Sequence, residues 1–130
     1  MSHLELQERI FQEIRQFVDG LNMGWVYVVS AGVMEIGFTT FLKLSDTFTK
    51  LWPSVAFMAC ALSSLGLLTL AMKTIPLGTA YAVWTGIGAF GTAIVGMVFY
   101  GDPHDIYRLF FLTMLIVSII GLRLISGASG

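Results

Sequence analysis

GWVYVVSAGVMEIGFTTFLKL, residues 24–44, decides how the rest of the chain is read. As one helix it spans about 31 Å, close to the thickness of a bilayer's hydrocarbon core. It is apolar or small nearly throughout, with a single carboxyl group, Glu35, near its middle. A charged side chain at that depth costs about 2.5–3.5 kcal/mol, so an intramembrane acid points to function before structure. The alternative is a structural Glu hydrogen-bonded to a neighbouring helix.

Composition agrees with a membrane protein. Of 130 residues 56% are hydrophobic and 12% charged, against about 25% charged in an average soluble domain. Most charges lie outside the apolar runs, which isolates Glu35. A net charge of −1 excludes the basic patch that nucleic-acid binding needs. Cys60 has no second thiol for a disulfide or a metal site, and it reads as a small packing residue. No cofactor and no metal are expected.

Outward from residues 24–44, three further apolar runs follow at 52–72, 78–100 and 107–125, separated by short turns. Trp52-Pro53 opens the second run, with proline suited to a first helical turn and Trp to the membrane interface. Lys73-Thr74-Ile75-Pro76 ends it, and Gly101-Asp102-Pro103-His104-Asp105 ends the third. Loops this short force an up-and-down array of four helices. Ahead of them, residues 1–22 form an amphipathic segment, with Ile10, Ile14, Phe17 and Leu21 at helical spacing and charges opposite. Its four acids against two bases are unlike a signal peptide, so it is expected to be retained, either lying in the membrane interface or packing on a partner. Gly20 and Asn22 are expected to interrupt it before the first span. The organisation predicted is an all-α membrane protein: an amphipathic helix over 1–22, a four-helix domain over 23–127 and a tail over 128–130.

Lysine and arginine bias is nearly balanced. Arg9, Arg15, Lys73 and Arg123 share one side of the array, and Lys43, Lys50 and Arg108 the other. Since this bias sets orientation, insertion either way up is open.

Helical spacing places Gly32, Glu35, Phe38 and Leu42 along one face of the first span, and Tyr81, Trp84, Gly88 and Gly91 along one face of the third. Gly32 would let another group approach the carboxylate. Two aromatic rings with polar tips can stack on a cation and hydrogen-bond a carboxylate. The Glu35 carboxyl can hold a proton, or release it and hold a cation. Two mutually exclusive ligands at one group give exchange. With no second acid, base or nucleophile beside Glu35, enzymatic catalysis is not expected. Gly86-Ile87-Gly88 is a candidate helix bend. Small residues, including Ser118 and Gly121 in the fourth span, suit close helix contact. His104 between Asp102 and Asp105 reads as a solvated turn.

The four short spans, Glu35 in the first, the run Phe48-Thr49-Lys50-Leu51-Trp52-Pro53-Ser54 and the run from Ile75 to Gly88 resemble the small multidrug resistance transporters over about residues 24–126. The resemblance implies two copies packed antiparallel in the inner membrane, exporting small organic cations against protons. By position it implies Glu35 as the proton and cation site, Tyr81 and Trp84 as aromatic walls, Ser64 as a polar neighbour, and Gly32 keeping the site open. The Pro76–Gly88 run and Gly121-Leu122-Arg123-Leu124 resemble the guanidinium-exporter subtype. Phe38 stands where that subtype carries Trp, and Thr39-Thr40 with Lys43 resemble the polyaromatic-cation subtype. Quaternary ammonium compounds are the second substrate class implied, and an accessory subunit of a two-chain pair is the competing role.

Overall fold

His3–Leu44 forms one helix of 42 residues, α1, in the computed structural model of the chain. The structure describes residues 2–129 and, among them, all side chains except those of 17, 18, 20–22 and 126–129. Three more helices follow: α2 (Leu51–Ala71), α3 (Leu77–Phe99) and α4 (Ile106–Ser129). Four stretches are long and apolar enough to cross a membrane: Met23–Leu44, Leu51–Ala71, Leu77–Phe99 and Ile106–Ile125. These are the four expected spans, each within a residue or two.

The amphipathic segment is helical as expected, started by a capping box in which the Glu5 amide donates to Ser2 Oγ at 3.2 Å and the Ser2 amide donates to Glu5 Oε2 at 3.0 Å. It is not set apart from the first span. The expected break at Gly20 and Asn22 is absent from the backbone, and α1 continues through both. A single glycine costs a helix only about 1 kcal/mol, too little to stop one that continues into a membrane-length apolar run. The side chains of Phe17 and Leu21, two of the four in the expected stripe, lie outside the described set, as do those of the expected tail over 128–130. Ile10 and Ile14 are exposed.

Tight connections alternate the helix directions, so α1 and α3 run parallel. The first connection is anchored by Ser45, fully buried, whose hydroxyl donates to the Leu42 carbonyl at 2.7 Å and accepts from the Phe48 amide at 3.1 Å. It holds Asp46, Thr47 and Phe48 in the left-handed region, at φ of 48°, 60° and 62°, a conformation unusual for a β-branched or bulky residue. The third connection turns at Gly101 (φ 69°), and the Asp105 side chain caps α4 by accepting from the Arg108 amide at 2.9 Å.

The hydrophobic core gathers at the end of the bundle that holds the second connection. Trp25, Val28, Ala31, Leu68, Ala71, Ile75, Ala80 and Val83 are buried there. Gly24 permits it, since a Cβ at that position would run into Thr74 and Ile75 of the connection. α1 packs mainly on α2 and then on α3, whereas α4 lies mainly against α3 and touches α1 where Arg123 reaches the Trp25 ring at 4.9 Å. Glu35 lies just beyond this core, between it and the opposite, more polar end.

Candidate functional site

Glu35 turns toward α3. Its carboxyl group lies so close to the backbone of Gly88 that a Cβ there would overlap it. Any residue but glycine at 88 would therefore claim the space the carboxyl occupies. Oε2 is buried and has no hydrogen-bond partner among the described residues, and among those residues no lysine or arginine pairs with it. Leaving such an oxygen unpaired costs about 1–3 kcal/mol, and more when it is charged. A proton or a bound cation removes that cost, so this carboxyl is poised to take one or the other.

Around it stands a second group of residues. Ser64 of α2 is fully buried. Its hydroxyl donates to the Ala31 carbonyl at 2.7 Å and accepts from Trp84 Nε1 at 2.9 Å. One serine thereby joins α1, α2 and α3 one turn before Glu35, and it fixes the plane of the Trp84 ring. Tyr81 lies against that ring, centroids 5.7 Å apart and tilted by 56°, and is 55% exposed. The structure thus brings together Ser64, Trp84 and Tyr81 as expected.

Other expectations change. The face assigned to Gly32, Glu35, Phe38 and Leu42 is divided between neighbours, because each step of three residues rotates the side chain about 60° around the helix. Gly32 and Glu35 meet α3. Phe38 packs edge-on against Phe57 of α2 at 5.8 Å, and Phe57 in turn meets Phe48 at 5.6 Å. Leu42 is exposed. Gly32 does not hold the site open here: Ile87 fills its space, and a Cβ on Gly32 would lie 2.7 Å from Ile87 Cγ2. At Gly86 and Gly88, α3 is unbroken. The two glycines admit side chains from opposite sides, Ile119 of α4 at Gly86 and Glu35 of α1 at Gly88. Ser118 is exposed, and among the described residues nothing lies within 4 Å of a Cβ placed on Gly121.

One polar contact escaped the sequence reading. Thr39, one turn after Glu35, meets Thr92, one turn after Gly88, with 2.7 Å between hydroxyl oxygens. Thr39 Oγ1 also lies 3.0 Å from the carbonyls of Glu35 and Ile36. The signal was present in the i, i+4 repetition of the Glu35–Gly88 pair, but it becomes visible only once α1 and α3 are known to be parallel and in register.

The family model for Small Multidrug Resistance protein matches residues 23–115, which contain Glu35, Ser64, Tyr81, Trp84, Gly88 and the threonine pair. The chain belongs to the small multidrug resistance family. Among similar proteins, the guanidinium exporter of Proteus vulgaris is 47% identical over 104 residues, covering 80% of this chain and 100% of its own length. The guanidinium exporter of Escherichia coli strain K12 is 45% identical over 102 residues, 78% of this chain and 97% of its own. That of Yersinia pestis is 45% identical over 104 residues, with 80% and 100% covered. With four membrane-length helices, this member of the family is a multi-pass inner-membrane protein. Residues 1–22 fall outside the segment that the family model matches.

Proposed function

We propose that this small multidrug resistance protein exports guanidinium-type cations in exchange for protons, with Glu35 alternately holding one and the other. The observation that carries this reading is the buried Oε2 of Glu35, which lacks a partner among the described residues. A planar cation with several N–H donors is the kind of ligand that satisfies a carboxylate through two parallel hydrogen bonds. Trp84, held in one plane by Ser64, and the stacked Tyr81 supply aromatic faces for such a cation. Quaternary ammonium cations, which offer no N–H but are attracted to aromatic faces, are the second substrate class we assign to the Tyr81–Trp84 pair.

Two copies of the chain, packed antiparallel, would complete the site. The open faces of Ser118 and Gly121 on α4 are the surfaces we assign to that pairing. Movement of α3 about Gly86 and Gly88 would carry the site from one side to the other, because both positions hold side chains only by close, small-residue contact.

Reconstitution of the chain alone in proteoliposomes tests this. Guanidinium added outside should drive proton movement that disappears in Glu35→Gln. A silent single chain that becomes active with a second family member would replace the exporter reading by that of an accessory subunit. A Glu35→Gln protein that still couples guanidinium to protons would overturn the assignment of the site.

A further inference from the structure

Beyond the Thr39–Thr92 contact, toward the first and third connections, the α1–α3 seam opens into a polar pocket of about 110 Å³. Thr39 and Thr92 form one wall, and Thr40, Lys43, Tyr100 and Asp102 complete most of the lining. A cavity of that size admits several water molecules, and its hydroxyls, ammonium and carboxylate give water the partners it needs. The pocket is too small for a ring system. It lies on the opposite side of Glu35 from the aromatic pair, since Ser64 and Trp84 meet α1 at Ala31 and the threonine pair meets it at Thr39. The carboxyl therefore sits between an aromatic end and a hydroxylic end.

Hydrogen bonding at the threonine pair has a direction. Thr39 Oγ1 has one proton and lies within reach of the Glu35 and Ile36 carbonyls, which accept only. When Thr39 donates to them, Thr92 must donate to Thr39, and the lone pairs of Thr92 are left to accept from the pocket. At the pocket's other end, the Lys43 ammonium lies 5.0 Å from the Tyr100 ring centroid. Asp102 folds onto Gly96, with Arg108 of α4 behind it at 3.8 Å. These are the charged and titratable groups that line or border the pocket. From α3 the backbone of Gly88 lies against the carboxyl of Glu35 itself.

We propose that this pocket is a water antechamber through which protons reach Glu35, with the Thr39–Thr92 pair as its inner seal and Lys43 excluding organic cations at its mouth. The inference rests on the exporter reading and deepens it: proton and organic cation would approach one carboxyl from different ends. When the seal parts, water carries a proton to the ionised Glu35 carboxylate. The O–H bond of the acid forms as one O–H bond of hydronium breaks, and water is left. An organic cation taking the same route would have to pass a fixed positive charge, whereas a proton can be relayed between waters held by Asp102 and the threonine hydroxyls.

Thiol labelling tests the antechamber without requiring transport. In a Cys60→Ser background, Val95→Cys places a thiol in the pocket wall, and Val98→Cys, at an exposed position on the apolar surface of α3, serves as the membrane-facing control. A small neutral methanethiosulfonate should label Val95→Cys at least about tenfold faster than the control, since only a thiol in contact with water forms the reactive thiolate. A cationic reagent of similar size should lag at Val95→Cys and catch up when Lys43→Gln is added. Equal labelling of the two cysteines by the neutral reagent would overturn the proposal. In the transporting protein, Thr92→Val removes the hydroxyl that holds the relaying water and should slow proton release on guanidinium addition about tenfold, the worth of roughly one hydrogen bond to that water, with guanidinium affinity little changed. Thr92→Ser should restore the rate. Loss of rate and affinity together in Thr92→Val, unrelieved by serine, would assign the threonine a structural role only. If the wild-type chain moves no protons at all, the exporter reading fails, while the labelling result still stands or falls by itself.

Discussion

α1 and α4 are both long enough to cross a membrane, and by hydropathy α4 is the better span. Over the most apolar 18 residues of each, mean hydropathy is 2.1 within Ile106–Ile125 and 1.4 within Met23–Leu44. Yet none of residues 106–125 is buried, whereas Val28 and Ala31 of α1 are fully so. The more apolar helix is the less buried one. Lipid tails are as apolar as leucine, so apolar character alone gives membrane helices no reason to associate. Association comes from close packing at small residues and from hydrogen bonds, and α1 has both: Gly24, Ala31 and Gly32 on its buried faces, and Ser64 and Thr92 bonded to it from neighbouring helices.

That contrast can be broken or sharpened by substitution. The largest effect is expected at Glu35, where Gln keeps shape and removes the exchangeable charge. Guanidinium-driven proton flux should fall to background while the protein still inserts and purifies normally. Gly88→Ala should come next. Its Cβ would displace the carboxyl without touching its chemistry, and a misplacement of about 1 Å at a reacting group costs on the order of 100-fold in rate. Flux in proteoliposomes measures that, and a Gly88→Ala protein as active as wild type would mean that the carboxyl does not work from its position over α3.

Ser64→Ala is expected to show mainly in stability. It strands the Trp84 indole N–H, for a loss of about 1–3 kcal/mol, visible as a lower melting temperature in detergent and an altered tryptophan emission. Ile119→Ala, which empties the contact over Gly86, should cost less, about 1 kcal/mol or below, because lipid chains can replace part of what is lost. On the open face of α4, Val117→Ala should lie within ~0.5 kcal/mol of wild type. Gly121→Leu refines this last case. Among the described residues nothing lies within 4 Å of a Cβ at that position, so a shift from dimer to monomer in cross-linking would locate a second copy on α4, and an unchanged assembly would place the partner elsewhere.

Much of this could be read from the residues in order. Length and hydropathy are local properties, so the four helices and their short connections were legible, as was the isolation of Glu35 among apolar neighbours. Ser64, Tyr81 and Trp84 were reachable too, by resemblance to a family whose motif this chain carries nearly intact. Residues 1–22 show where local reading failed: Gly20 and Asn22 looked like a break, but nothing nearby competed with the continuing helix.

What the order of residues determined was which segments enter the membrane and which side chain is out of place there. Tertiary structure alone decided what each of those side chains touches. That Gly32 seats Ile87, that Gly88 seats a carboxyl and that Thr39 meets Thr92 all depend on the rotation and register of two parallel helices. Those are set by interlocking surfaces from distant parts of the chain, and helical periodicity in one segment carries no record of how its neighbour is turned.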